Sequence, residues 1–238
     1  MLQVVVQKGH CFRKTGSTGT AGHRGTEQQF ADRVGTEMIS ILRFHGVAAV
    51  DVLADEVIPS STVFVALHQD GSTSSSARGA SIGYPATNNE GRELGQLWKA
   101  LYQQAGWPSG FRPDNYTSAM RNYYGFRQST AEAKLLIEHG FATNVHDENW
   151  MWDHLDAIAE TNAVAIMRYL GINNEGDDMA GIITTYHDTA NDQCWVIRDD
   201  NGAVRPINDP AQWLSTWRGP TVSANNLRFV LDSLGFNI

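Results

Sequence analysis

The chain has 238 residues, 42% hydrophobic and 18% charged, with a net charge of −8 and two cysteines. That length accommodates one large domain, or a medium domain with a small one, and the composition is that of an ordinary globular protein. The acidic balance and the lack of a basic run with interleaved aromatics exclude nucleic acid as the expected partner. Two cysteines make no disulfide framework, and no apolar run is long enough to span a bilayer.

The opening Met1-Leu-Gln-Val-Val-Val leads straight into a strand, without the basic, apolar and small-residue regions of a secretory signal, so none is expected. Residues 2–7 are valine-rich, as in a central strand covered on both faces, and the run continues into Gly9-His10. Cys11 faces away from its neighbour on an extended segment and is not counted as a ligand. Residues 15–25, with Gly16, Gly19, Gly22 and Gly25, read as a flexible surface loop, a mobile flap beside the strand end. The glycine spacing is not G-x-G-x-x-G and no Gly-Lys-Ser/Thr follows, which argues against a nucleotide.

A helix is predicted from Thr26-Glu27, with Phe30, Val34, Met38, Ile41 and Leu42 at helical spacing, Thr26 as N-cap and Gly46 as stop. Val47–Leu53 and Thr62–Leu67 read as the next two strands, the latter ending at His68. Residues 72–81 form a serine-rich loop, followed by a short strand around Ile82–Tyr84. Asn88–Ala105 is predicted as a helix with Leu94, Leu97, Trp98 and Leu101 on one face. Residues 106–122 show no period and read as loop with at most one helical turn. Lys134–Glu138 is a buried strand that ends in a carboxylate, and Trp150–Leu170 a single long helix. Strands alternating with helices predict an α/β fold with a mixed, largely parallel sheet flanked by helices.

The polar stretch Asn173–Asp178 marks a boundary between a domain at 1–172 and a small C-terminal α+β module at 173–238. In the module, Cys194–Arg198 and Ala203–Ile207 flank Asp199-Asp-Asn-Gly202, a strong hairpin signal, and Asn225–Leu234 reads as a closing helix. About 66 residues is marginal for independent folding, so the module is expected to lean on the larger domain. Its Trp195, Trp213 and Trp217 fit either a small core or a binding face.

Three strands thus end in a side chain able to bind metal or move a proton: His10, His68 and Glu138. Glu27 falls in the first turn of the helix after the first strand. In open α/β sheets ligands lie outside the carboxyl ends of the strands. Two histidines, a carboxylate and an open position suit a catalytic metal such as zinc, and a second carboxylate nearby supplies an acid/base. The spacing does not name the metal.

Gly9-His10, Gly25-Thr26-Glu27 opening a helix, Val65-Ala-Leu-His68, and Leu136-Ile-Glu-His-Gly-Phe141 with Asn144 resemble the zinc-dependent N-acetylmuramoyl-L-alanine amidases of the amidase-3 type. The resemblance covers roughly residues 1–171. It implies that His10, Glu27 and His68 hold zinc, that Glu138 is the catalytic acid/base, and that the substrate is peptidoglycan. It also implies cleavage between N-acetylmuramic acid and L-alanine. Without a signal peptide and with a small C-terminal module, the expectation is a phage endolysin made in the host cytoplasm and acting on the wall after release. The chain departs from the family at Gln69-Asp70-Gly71, after the second histidine, and at residues 55–61, which bears on substrate contacts. His23, Asp70 and Arg127 are the candidate substrate-binding residues, with Arg121 beside them. Trp107, Phe111 and Tyr116 fit a groove or plain packing. His139, facing away from Glu138 in a strand, reads as structural. His45, His146, His154 and His187 are read as solvated.

Overall fold

The computed structural model describes residues 2–14 and 16–172, and beyond them the strands at 184–188, 193–198 and 203–206. The chain divides into two compact units, Met1–Ile172 and Asn173–Ile238. In the first, β1 (Val4–Lys8), α1 (Glu27–Phe44), β2 (Ala49–Leu53), β3 (Val63–Asp70), β4 (Ser81–Gly83) and α2 (Asn89–Gln104) come in order. They are followed by α3 (Ser118–Arg121), α4 (Tyr124–Gln128), β5 (Ala133–Phe141), α5 (Val145–Asp153) and α6 (Leu155–Tyr169). The five strands form one sheet in the order β2-β1-β3-β5-β4. All neighbours are parallel except β4, which runs antiparallel to β5 at the edge. The mixed, largely parallel sheet expected from the sequence is the one observed.

Alternate residues of the strands feed two cores, as the two-residue period requires. Val4, Val6, Val65, Leu67, Leu135 and Ile137 face the long helices, packing with Phe30, Val34, Met38, Trp98 and Ile166. Val5, Phe64, Ala66 and Leu136 face the other way, onto Met120 and Phe126 beside the short helices α3 and α4. One face is thus roofed by long helices and the other by short ones. At the carboxyl ends, Gln7, His68 and Glu138 share the parity of the second face.

The helix predicted over 150–170 is two helices. α5 ends at Asp153 and α6 begins at Leu155, with His154 at φ −126°, ψ 28° between them. The His154 ring stacks on Trp150, and its Nδ1 lies 2.8 Å from the Trp150 carbonyl oxygen that a continuing helix would have used. Apolar spacing runs through this break, which is why the sequence does not reveal it. α5 was not expected before residue 150 because it buries Asp147 and Glu148 along with Met151, leaving little apolar periodicity. Its Asn144 cap, accepting from the His146 and Asp147 amides, is legible in retrospect.

The loop read as a mobile flap is tied down. Ala21 bridges Thr26, the Glu27 amide donates to the Thr20 carbonyl, and the Arg24 amide donates to the buried Glu148 carboxylate. Arg24 also pairs with Asp153 at 2.6 Å. The partners on α1 follow the loop directly, but those on α5 lie far from it in sequence. Trp107 is 1% exposed and stacks on Tyr102, so it belongs to the core and not to a groove.

In the second unit β6 (Thr184–Asp188), β7 (Gln193–Arg198) and β8 (Ala203–Pro206) form a three-stranded antiparallel sheet. β7 and β8 pair from Arg198 opposite Ala203, as the expected hairpin requires. The turn at 199–202, the helix predicted at 225–234, and Trp213 and Trp217 lie outside the described residues, as do the side chains of Trp195 and His187.

Candidate active site

The site sits where β1, β3 and β5 end and α1 begins. Register places His68 directly beside Glu138, and Ser81 of β4 on the far side of Glu138. Just past this level the pairing of β3 with β5 shifts, so that Asp70 meets Phe141. Irregularities of this kind redirect side chains and are common next to active sites. β1 ends one step short of them, and the chain turns at Gly9 and His10. A Cβ on Gly9 would lie 2.3 Å from the Leu67 carbonyl oxygen and 2.7 Å from the His68 ring, so only glycine lets this turn close onto β3. His10 itself has φ 57°, a left-handed conformation uncommon for a non-glycine residue and found at functional sites.

Glu27 reaches the site because α1 starts there. Thr26 and Gln29 form a reciprocal capping box, which fixes Glu27 as the first helical residue. Its buried carboxylate lies 2.8 Å from His68 Nδ1 and accepts from the Gln69 amide at 3.1 Å and from the Thr20 amide at 2.9 Å. His10 Nε2 lies 3.6 Å from the same Oε1, and the two imidazole rings stand edge to face at 5.1 Å. Burial pushes the Glu27 carboxyl up, but the His68 hydrogen bond and the charges of His68 and His10 outweigh it and hold the group below its ordinary value.

His10, Glu27 and His68 offer ligand atoms that all lie within 4.8 Å of one another, the sole such group among the described residues. Two ligand atoms about 2.0–2.1 Å from a tetrahedral zinc are roughly 3.3–3.4 Å apart, and the observed 2.8 and 3.6 Å bracket that spacing. The second contacts fit too. His10 Nδ1 lies 2.8 Å from the Ser17 carbonyl oxygen, which can only accept, so Nδ1 carries the proton and Nε2 faces Glu27 with its lone pair. The donor set therefore suits a metal ion.

Glu138 stands across the cavity. Its Oε2 is buried and has no hydrogen-bond partner among the described residues. Burial, then the nearby Glu27 and Asp70 carboxylates, push the carboxyl well above its ordinary value. A carboxyl raised this way next to a pair of histidines is suited to exchanging protons. His10, Glu27, His68, Glu138 and Asp70 line one cavity of about 520 Å³, with Ser17, Thr20 and Ser72 among its other walls.

Asp70 is on that wall, bonded by the Tyr116 hydroxyl and the Gly71 amide, with its carboxyl raised by burial. His23 and Arg127 are not on it. Arg127, on α4, donates to the Asn122 carbonyl at 2.8 Å, and Arg121 is exposed on α3. His139 points to the opposite face, as its position next to Glu138 implies, and is fully buried. Its Nδ1 donates to the His68 carbonyl at 3.1 Å, and its Nε2 accepts from Asn162 at 3.1 Å. It anchors the strand that carries His68. Sequence reasoning missed Tyr123, whose hydroxyl lies 3.1 Å from His68 Nε2. It stands in a stretch without apolar period, where only its aromatic character was visible.

Neither a protein-family model nor a curated protein sequence matches the chain. Solved structures do share its fold. The N-acetylmuramoyl-L-alanine amidase AmiC2 of Nostoc punctiforme is 22% identical, with a TM-score of 0.56 over 71% of this chain and 97% of the other. The catalytic domain of the N-acetylmuramoyl-L-alanine amidase CwlV from Bacillus (Paenibacillus) polymyxa is 21% identical, with a TM-score of 0.55 over 73% and 100%. The catalytic domain of the CD27L endolysin targeting Clostridia difficile is 16% identical, with a TM-score of 0.57 over 71% and 98%. At these identities the likeness is one of fold.

Proposed function

We propose that the protein is a zinc-dependent N-acetylmuramoyl-L-alanine amidase, cutting the amide between the lactyl group of N-acetylmuramic acid and L-alanine of the stem peptide, and that it serves as a phage endolysin. The observation that carries this reading is the convergence of His10, Glu27 and His68 on one point, with Glu138 Oε2, which has no hydrogen-bond partner among the described residues, on the same cavity. The shared fold of known amidases supports it.

His10 Nε2, His68 Nδ1 and a Glu27 oxygen would hold the zinc, which when bound would acidify a water and polarise the scissile carbonyl. The Ser17 carbonyl keeps His10 turned toward that point, and the Thr20 and Gln69 amides keep the Glu27 carboxylate there. Glu138 takes the proton of the attacking water and later delivers it to the leaving nitrogen. The water oxygen ends on the lactyl carbonyl carbon, the C–N bond breaks, and L-alanine leaves with a free amine. Asp70 is the substrate contact nearest this chemistry. His23 and Arg127 would meet only parts of a long substrate that extend beyond the cavity. The unit from Asn173 onward would hold the enzyme to the wall. That role fails if the full chain and a chain ending at Ile172 sediment equally with cell walls.

Digestion of purified peptidoglycan tests the activity. New N-termini that are L-alanine support the amidase. Another N-terminal residue would mean a peptidase acting within the stem, and release of no soluble fragment would mean a wall-binding protein without activity.

A further inference from the structure

The lone pair that His68 can offer depends on where its one ring proton is held. Nδ1 faces Glu27 Oε1 at 2.8 Å, on the metal side, and Nε2 faces the Tyr123 hydroxyl at 3.1 Å, on the other. A tyrosine hydroxyl has a single hydrogen and can also accept. The hydrogen of Tyr123 goes to Gln7 Oε1 at 2.7 Å. The Gln7 amide is oriented for that, because its Nε2 turns to the Ala54 carbonyl at 3.5 Å, where a flipped amide would set two acceptors face to face. The tyrosine oxygen then has only lone pairs left for His68, so Nε2 donates to it and keeps its proton when a metal takes the place between Nδ1 and Glu27 Oε1.

The cluster is built for this arrangement. Gln7 is fully buried at the end of β1, and the Tyr123 ring meets the His68 ring edge to face at 5.3 Å. Gly125, on α4, leaves the space in which Tyr123 and Gln7 meet. A Cβ there would lie 2.8 Å from the Tyr123 ring, 2.9 Å from Phe64 and 3.1 Å from Gln7 Oε1. The chain departs from regular structure between α3 and α4 at the point where it delivers Tyr123 under His68.

We propose that Tyr123 and Gln7 form a positioning relay that holds the His68 proton on Nε2 and so keeps Nδ1 free as a zinc ligand. The relay rests on the metal reading above and acts through His68 without touching substrate. Hydrogen-bond partners of metal-bound histidines fix the ring and its tautomer, and losing one weakens metal binding about 10–100-fold.

The test is the zinc dissociation constant of the full chain, measured by competition with a chromophoric chelator at one fixed pH. Tyr123→Phe is expected to weaken zinc binding about 10–100-fold. Gln7→Met is expected to weaken it too, because the Tyr123 hydrogen, deprived of its acceptor, turns toward His68 Nε2. Tyr84→Phe, which removes a hydroxyl bonded to Asp114 away from the site, should bind zinc as the wild type does. A merely structural role would lower the melting temperature of the Tyr123 and Gln7 variants and leave their zinc affinity unchanged, which would overturn the relay. Nitrogen NMR of the zinc-loaded wild type requires no variant: a protonated Nε2 on His68 supports the relay, and a protonated Nδ1 overturns it. A wild type that binds no zinc overturns the metal reading and the relay with it.

Discussion

Replacing His139 with glutamine should make the protein more resistant to acid. The imidazole is fully buried among the rings of Phe30, Trp98 and Tyr102. Burial depresses its pKa to about 4 from the ordinary 6.5, although its bond to the His68 carbonyl pulls the other way. Between those two values the unfolded chain binds a proton that the folded chain does not. Stability therefore falls as pH drops through this window. The neutral ring's contribution is complete above pH 6.5 and gone by about pH 4. A gap of about two and a half pH units at 1.36 kcal/mol each amounts to roughly 3 kcal/mol. Urea unfolding followed by circular dichroism, from pH 7 to pH 4 with a chelator present, measures it. Groups common to both proteins cancel when wild type is compared with His139→Gln. The wild type should lose about 3 kcal/mol more than the variant across the range. Parallel profiles would refute the reasoning.

Two further substitutions separate chemistry from scaffold. Glu138→Gln should retain zinc while turnover falls about 10²–10⁴-fold, as expected for loss of a general acid/base, and full activity on purified walls would remove Glu138 from that role. Thr26→Ala removes the hydroxyl that accepts from the Gln29 amide and should cost about 1 kcal/mol of stability by denaturant unfolding. Because that cap sets Glu27 as the first helical residue, the variant should also bind zinc more weakly by chelator competition, and unchanged affinity would uncouple the cap from the site.

What the sequence revealed follows from how local each signal is. Strands such as Val63–Leu67 and the helix opening at Thr26-Glu27 carry their period and cap within a few residues, and both appear where expected. His10, Glu27, His68 and Glu138 were legible because each lies near the end or the start of such an element, although β3 and β5 run past His68 and Glu138 to Asp70 and Phe141. The loop at 15–25 was misread because its composition says nothing about Glu148, whose carboxylate holds the Arg24 amide from more than a hundred residues away. The break at His154 was invisible because a side chain makes it without interrupting the apolar spacing. Tyr123 escaped notice for a related reason: its value lies in a hydroxyl that meets His68 and Gln7 only after three separate segments have folded.

The proposed activity depends on one metal held by two histidines at strand ends and by the glutamate that opens α1. Anomalous diffraction at the zinc absorption edge, from crystals grown with zinc, tests that claim most directly. The expected result is a single strong peak within about 2.0–2.2 Å of His10 Nε2, His68 Nδ1 and a Glu27 carboxylate oxygen, with Glu138 outside the ligand set. A peak bound through other residues, or no peak among these three side chains, would contradict it.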